Sequence, residues 1–248
     1  MFCDVGQGDA AVLNAGDGAV VVVDAGPAPA VVNRCLRDLG VGEVSALILT
    51  HFHADHVEGM PGVVRGRRVG DVLVSPLTEP LDQVLRVNSW ASQANLPVTA
   101  VSLGDERQAG NVHWRVLWPG RIIRGEGSDA NNSSITVLAD VNGVRTLLGG
   151  DLEPAAQAAL MAAQTPPDVD ILKVPHHGSG RQNIRFAPWS GARAAVVSVG
   201  VDNPYGHPAA ATLSALRDWG LAVWRTDEAG DIAVVRRGSD IVLVAHHS

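Results

Sequence analysis

Long apolar runs are missing from this sequence: none approaches the ~20 residues that carry a helix across a bilayer. The opening MFCDVGQGDA lacks the basic region and long apolar stretch of a secretion signal, so the chain reads as a soluble piece. Cysteine is almost absent. Cys3 and Cys35 are too few for a disulfide framework, and Cys35 shares a helical face with Val31, Val32 and Leu39, which makes it a core-packing residue. Basic residues are outnumbered, 19 against 26 acidic, for a net charge of −7. That balance argues against broad attraction to nucleic acid, yet it leaves room for phosphate binding at a local site whose cations come from metal. Aromatic residues are scarce too: one Tyr, three Phe and six Trp offer no aromatic-rich surface for stacking bases. No low-complexity tract and no linker divides the 248 residues, which are expected to form one domain, 1–248.

What is present suits a large core, with 46% hydrophobic residues. Short β-rich runs alternate with helical stretches, and the pattern occurs twice. In the first half Ala19–Asp24 reads as a buried strand, Ala28–Leu39 as a helix closed by Gly40, and Ala46–Thr50 as a strand. In the second half Ser134–Asp140 and Val144–Leu148 read as a hairpin, Pro154–Ala163 as a helix with Pro in its first turn, and Asp170–Val174 as a strand. Ala194–Val199, a helix over Ala209–Trp219, and strands Ala222–Thr226, Ile232–Arg236 and Ile241–Val244 follow. Two mixed sheets covered by outer helices, an α/β αββα sandwich, are the expected packing. Between the halves, Ser75–Gly127 shows one helical stretch around Leu81–Ala94, and GRIIRGEGSDANNSS reads as an exposed loop.

The chemistry concentrates in ALILTHFHADH. If ALILT is a central strand, His51 and His53 leave its carboxyl end at i and i+2, pointing the same way, and Asp55 and His56 begin the next turn. Imidazole and carboxylate without thiolate suit Zn²⁺, Mn²⁺ or Fe. A single histidine there would be an ordinary surface residue; four ligand-type residues within six positions point to a metal site.

THFHADH resembles the HxHxDH signature of the metallo-β-lactamase superfamily, whose fold is the αββα sandwich. With DVGQGDA (Asp4–Ala10), VVDAG (Val22–Gly26), NNSS (Asn131–Ser134), GGDLE (Gly149–Glu153), LKVPHHGS (Leu172–Ser179) and NPYGHP (Asn203–Pro208), the ordered set resembles the hydrolase domain of ComEC-type DNA-uptake proteins. The resemblance implies a metal-dependent nuclease that degrades the non-imported strand during natural transformation. It further implies a soluble domain on the outer face of a bacterial membrane protein, joined to the channel portion of the same full-length chain, and a start at Met1 suits an excised domain.

Carried over residue by residue, the resemblance implies that His51 and His53 hold one divalent ion and Asp55 and His56 another, with Asp151 bridging both. Either His176 or His177 completes the second site; His177 is favoured, leaving His176 to contact substrate or leaving group. Asp24 orients a ligand histidine or serves as a turn residue before Gly26. DVGQGDA reads either as a β-turn, which its Gly6 and Gly8 suit, or as a loop that brings Gln7 and Asp9 toward the metals. A further histidine common in the superfamily is missing, since His113 falls in the strand-like NVHWRVLWPG; the Asn131–Ser134 loop stands in its place and favours Mn²⁺ over Zn²⁺ at the first ion. Two cations ~3.5–4 Å apart activate water and hold a phosphodiester for in-line attack. Asp55 and Asp151 then serve that catalysis as ligands. His207 or His176 provides the proton or charge for the leaving oxygen. Asn132, Ser179, Asn203 and Tyr205 are candidates for binding phosphate or sugar, while NPYGHP is otherwise a turn before a helix. Arg65, Arg67, Arg68, Arg181 and Arg185 form either a basic rim or plain solvated surface. Single-stranded DNA is the expected partner. Two other functions fit the sequence: a phosphorylcholine-esterase-like ester hydrolase of the same fold, and a non-catalytic metal-binding docking domain.

Overall fold

The computed structural model describes residues 1–246. Its first sheet has five strands in the order of the chain: β1 (Ala11–Gly16), β2 (Ala19–Val23), β3 (Glu43–Leu49), β4 (Arg68–Val74) and β5 (Val98–Ala100). β1 and β2 are antiparallel, and Asp17 and Gly18 between them both have positive φ (52° and 75°), the Asp-Gly turn that matches strand twist. From β2 onward the pairing is parallel. The second sheet contains β6 (Glu106–Ala109), β7 (Val112–Trp118), β8 (Thr136–Val141), β9 (Val144–Leu148), β10 (Ile171–Lys173), β11 (Ala194–Val197) and β12 (Ala222–Arg225). It is antiparallel from β6 to β9 and parallel from β9 to β12. A separate ribbon, β13 (Asp231–Arg237) and β14 (Asp240–His246), bridges back to Phe2 through Ile232.

AVVVV at β2 is apolar on both faces because both are covered. Val21 and Val23 join Ile48 and Leu73 in packing against Val137, Leu148, Ile171 and Val196 of the other sheet. Val20 and Val22 face the other way, with Leu47, Leu49 and Val72, toward the helices Pro29–Asp38 and Leu81–Gln93. Helices Pro154–Ala163, Phe186–Ser190 and Ala210–Asp218 cover the outer side of the second sheet. Each fully buried aliphatic side chain of these layers stabilises the sandwich by about 1.5–3 kcal/mol. The αββα architecture therefore agrees with the expectation, and the helix Leu81–Gln93 lies where the sequence placed it.

Two expectations fail. Cys3 and Cys35 form a disulfide, with Cα atoms 6.2 Å apart across 32 positions of sequence. Cys35 does face the core, but Cys3, on the segment that precedes β1, packs into the same cluster and supplies a partner. The end of the GRIIRGEGSDANNSS segment is not exposed: Asp129–Asn132 forms a helical turn, and residues 130–134 are buried. Among the described residues no helix is long and apolar enough to cross a membrane.

Candidate metal centre

β2 and β3 are parallel neighbours, so their carboxyl ends lie side by side. Asp24, just past β2, has φ of 61° and is buried. Its Oδ1 accepts from the Thr50 amide (2.7 Å), and its Oδ2 accepts from the Thr50 hydroxyl (2.8 Å) and pairs with His56 Nδ1 (2.9 Å). The carboxylate thus locks both strand ends and turns His56 so that Nε2 faces Asp151 Oδ1, 3.2 Å away. Neither of those two buried atoms has a hydrogen-bond partner.

The other side comes from the second sheet. Asp151 follows β9 after Gly149 and Gly150, and its amide donates to Ser134 Oγ (3.2 Å). His176 and His177, in the 3-10 turn Pro175–Gly178 after β10, both have φ of 50°. Left-handed backbone at two successive non-glycine residues is strained and aims the two side chains apart. His177 is buried; its Nδ1 donates to the Ser198 carbonyl (2.9 Å), which fixes the ring's orientation and leaves Nε2 3.2 Å from Asp55 Oδ2 and 3.4 Å from Asp151 Oδ2. His176 stands off, with Nε2 3.9 Å from Asp151 Oδ2. Ligand atoms of Asp55, His56, Asp151 and His177 all lie within 4.8 Å of one another. His51 and His53 sit beside that group: His51 Nε2 is 3.1 Å from His53 Nδ1, and its ring is 4.2 Å from that of His56.

Asp9 enters from the DVGQGDA loop, pressed close because Gly8 has no side chain; a Cβ there would lie 2.2 Å from the Asp55 carbonyl oxygen. Its Oδ2 pairs with the buried ammonium of Lys173, which also donates to the Gly150 carbonyl (3.1 Å) and lies 3.8 Å from Asp151 Oδ1. In the sequence, the one local sign of Lys173's role is its place at the end of the apolar strand ILK.

Electrostatics follow from this crowding. Burial opposes charge on His56, but Asp151, Asp55 and Asp24 outweigh it and hold its pKa well above the usual value. His177 is likewise raised well above it by Asp151 and Asp9 against the cost of burial. Burial would raise Asp151, yet His177 and His56 hold it well below the ordinary carboxylate range. His51 goes the other way: burial, and then His56, press its pKa well down. Four carboxylates, Asp9, Asp24, Asp55 and Asp151, crowd a centre with one ammonium, and the deficit draws positive charge onto His56 and His177. The orphaned His56 Nε2 and Asp151 Oδ1, the hard O/N donor set and this deficit fit a divalent cation.

Several residues expected to bind substrate have other duties. Asn132 is fully buried: Nδ2 donates to the Glu126 carbonyl (2.9 Å), and Oδ1 accepts from the Ala156 amide (3.3 Å). The helical turn tucks it inward, and Ser134 Oγ, 3.3 Å from His51 Nδ1, is the atom of that loop that reaches the centre. Ser179 is buried, its hydroxyl accepting from the Arg181 amide (3.0 Å). Asn203 spends its amide on its own turn, donating to the Gly200 and His207 carbonyls (2.9 and 2.6 Å) and accepting from the His207 amide (3.0 Å). His207 lines the open side, its ring 5.3 Å from His176, with Tyr205 stacked outside it. The basic rim is mostly spent: Arg67 binds Asn33 and the Val41 and Gly62 carbonyls, Arg68 pairs with Glu43, and Arg181 pairs with the buried Glu153 (3.0 Å). His113 is an exposed residue of β7.

Three comparisons with known proteins bear on this centre. The sequence pattern of the metallo-beta-lactamase superfamily matches residues 3–185, a span containing Asp9, Asp24, His51–His56, Asp151 and His177. ComE operon protein 3 of Bacillus subtilis (strain 168) is 30% identical over 196 residues, which is 78% of this chain and 25% of that protein. The chain thus spans about a quarter of its relative's length. Among solved structures, Zn²⁺-bound PqqB from Methylobacterium extorquens superposes with a TM-score of 0.56 at 12% identity, covering 88% of this chain and 85% of the other. YhfI from Bacillus subtilis, a metallo-beta-lactamase fold protein, gives 0.57 at 11% identity, covering 90% and 95%. At these identities the structural likeness is one of fold.

Proposed function

The chain belongs to the metallo-beta-lactamase superfamily, and on that footing we propose that it is a metal-dependent phosphodiesterase acting on single-stranded DNA. The carrying observation is the convergence of Asp55, His56, Asp151 and His177 from both sheets on one cation-demanding point. In this reading two divalent ions, Mn²⁺ or Zn²⁺, are held, one by His51 and His53 and the other by Asp55, His56 and His177, with Asp151 shared. Bound there, they supply Lewis acidity to the phosphodiester and an activated water. The chain's own groups do the rest. Asp24 holds His56 in place, the Ser198 carbonyl accepts from His177 Nδ1 and so aims Nε2 at the ligand group, and Lys173 pins Asp9 and the Gly150 turn that carries Asp151. His176 and His207, on the open side, present imidazole N–H to the leaving oxygen.

DNA as substrate is supported by the motif set shared with DNA-uptake proteins and by the relationship to a ComE operon protein. The Cys3–Cys35 disulfide supports a place outside the reducing cytoplasm, on the outer face of a membrane whose channel belongs to the rest of a longer chain. There the enzyme degrades the strand that is not imported. With Arg67, Arg68 and Arg181 of the rim engaged within the chain, binding of a phosphodiester would depend on the bound ions.

The test is digestion of labelled single-stranded DNA by purified protein titrated with Mn²⁺ or Zn²⁺, beside a choline-phosphate ester and a β-lactam. Metal-dependent cleavage of DNA is expected. Turnover of either competitor without DNA cleavage overturns the reading, and inactivity with metal bound points to a docking domain instead.

A further inference from the structure

We propose that Tyr205 is a stacking platform for one unpaired nucleobase beside the cleaved phosphate. This deepens the phosphodiesterase reading and rests on it. Tyr205 is the chain's single tyrosine, and 67% of it is exposed. One face of its ring lies on His207, centroids 5.9 Å apart with planes at 27°, and the His207 ring lies 6.4 Å from that of His177 at 30°. His176 meets His207 edge-on at 5.3 Å. A ladder of rings therefore leads from the ligand group to solvent and ends in an open aromatic face.

An exposed tyrosine on a mobile loop would mean little, but this turn is held. Asn203 grips both backbone groups of His207, the Gly200 amide donates to Gln7 Oε1 (3.4 Å), and the Ala209 amide donates to the Gly178 carbonyl (2.9 Å). These bonds tie the turn to the loops that carry Asp9 and His177. Among the described residues the Tyr205 hydroxyl has no hydrogen-bond partner, so the ring is what the turn displays. The ligand chemistry follows from what the turn lacks: SVGVDNPYGHPA, residues 198–209, contains no lysine or arginine and includes the exposed Asp202. It is poorly suited to a second phosphate and well suited to a flat, uncharged, polarizable group. A base stacked within a duplex cannot reach such a face, whereas an unpaired one can, and stacking on an aromatic ring tolerates any base.

The test compares wild-type, Tyr205→Ala, Tyr205→Phe and Tyr205→Trp proteins loaded with Mn²⁺, each shown to be folded by its melting curve. Substrates are a single-stranded oligonucleotide, the same oligonucleotide with an abasic residue beside the cleaved bond, and methyl p-nitrophenyl phosphate. Tyr205→Ala should raise KM for the oligonucleotide about tenfold or more with kcat less affected, while Phe and Trp should stay within about twofold of wild type. The loss on the oligonucleotide should exceed the loss on the small diester by about tenfold. The abasic substrate should reproduce that loss in the wild-type protein and add little to the Ala variant. Equal losses on both substrates, or a Phe variant as poor as Ala, would overturn the stacking role. An active wild-type enzyme indifferent to Tyr205→Ala removes this inference alone; a metal-loaded wild type inactive on every nucleic acid removes the phosphodiesterase reading with it.

Discussion

The amino-terminal half of the sandwich holds its part of the centre with a carboxylate, the carboxy-terminal half with an ammonium. Asp24 stitches β2 to β3 through Thr50 and aims His56 by direct hydrogen bonds. On the other side Lys173, at the end of β10, balances Asp9 and holds the Gly150 turn, and His177 owes its direction to left-handed backbone. The first half is also closed covalently through Cys3 and Cys35, while the second relies on packing. The difference shows two answers to one physical problem. Acidic groups crowded for a cation repel one another when buried, so each must be hydrogen-bonded, paired with opposite charge or fixed by a rigid chain.

Substitutions on the two sides should separate these devices. The largest effect should come from Asp151→Ala, which removes the carboxylate facing both His56 and His177. Turnover should fall by more than the about 100-fold typical of outer partners, with metal content reduced and the melting curve little changed. Retained turnover would remove Asp151 from the centre.

Lys173→Met should follow, because it leaves Asp9 buried without its charge partner. A loss of about 3–5 kcal/mol in urea denaturation is expected, and a restored Asp9→Asn/Lys173→Met double variant would confirm that the pair is the cause. Opening the staple by Cys3→Ser should cost about 3–4 kcal/mol, from the loop entropy of a 32-residue separation. That loss should fall on stability, with metal affinity of the folded protein nearly unchanged; unchanged urea midpoints in oxidised and reduced protein would contradict it.

Asp24→Asn keeps the shape but weakens the hold on His56. Metal affinity measured by calorimetry should drop about 10–100-fold, and a drop confined to stability would make Asp24 a turn residue only. His113→Ala, on the exposed face of β7, should change stability by less than about 0.5 kcal/mol and metal content not at all.

The legible parts of the site were those that local geometry controls. His51, His53, Asp55 and His56 stood out because an apolar strand delivers them at its end, and the strand and helix runs around them carry their own periodicity. Asn132 and Asn203 misled because an amide in a loop looks the same in sequence whether it faces a ligand or its own backbone. Ser179 misled in the same way, its hydroxyl being used within its own turn. GRIIRGEGSDANNSS looked exposed by composition, yet its last residues are covered by packing from distant segments.

The layered αββα architecture and the clustering of imidazole and carboxylate at strand ends are legible without coordinates, since both follow from periodicities of a few residues. It takes the packed chain to show that Cys3 meets Cys35, that Lys173 pairs with Asp9, that His177 rather than His176 joins Asp55, His56 and Asp151, and that Tyr205 shows an open face beside His207. Each of these is a relation between chain segments brought together by the packing of two sheets, and its free energy depends on burial and distance. Neither quantity is a property of any short stretch of sequence.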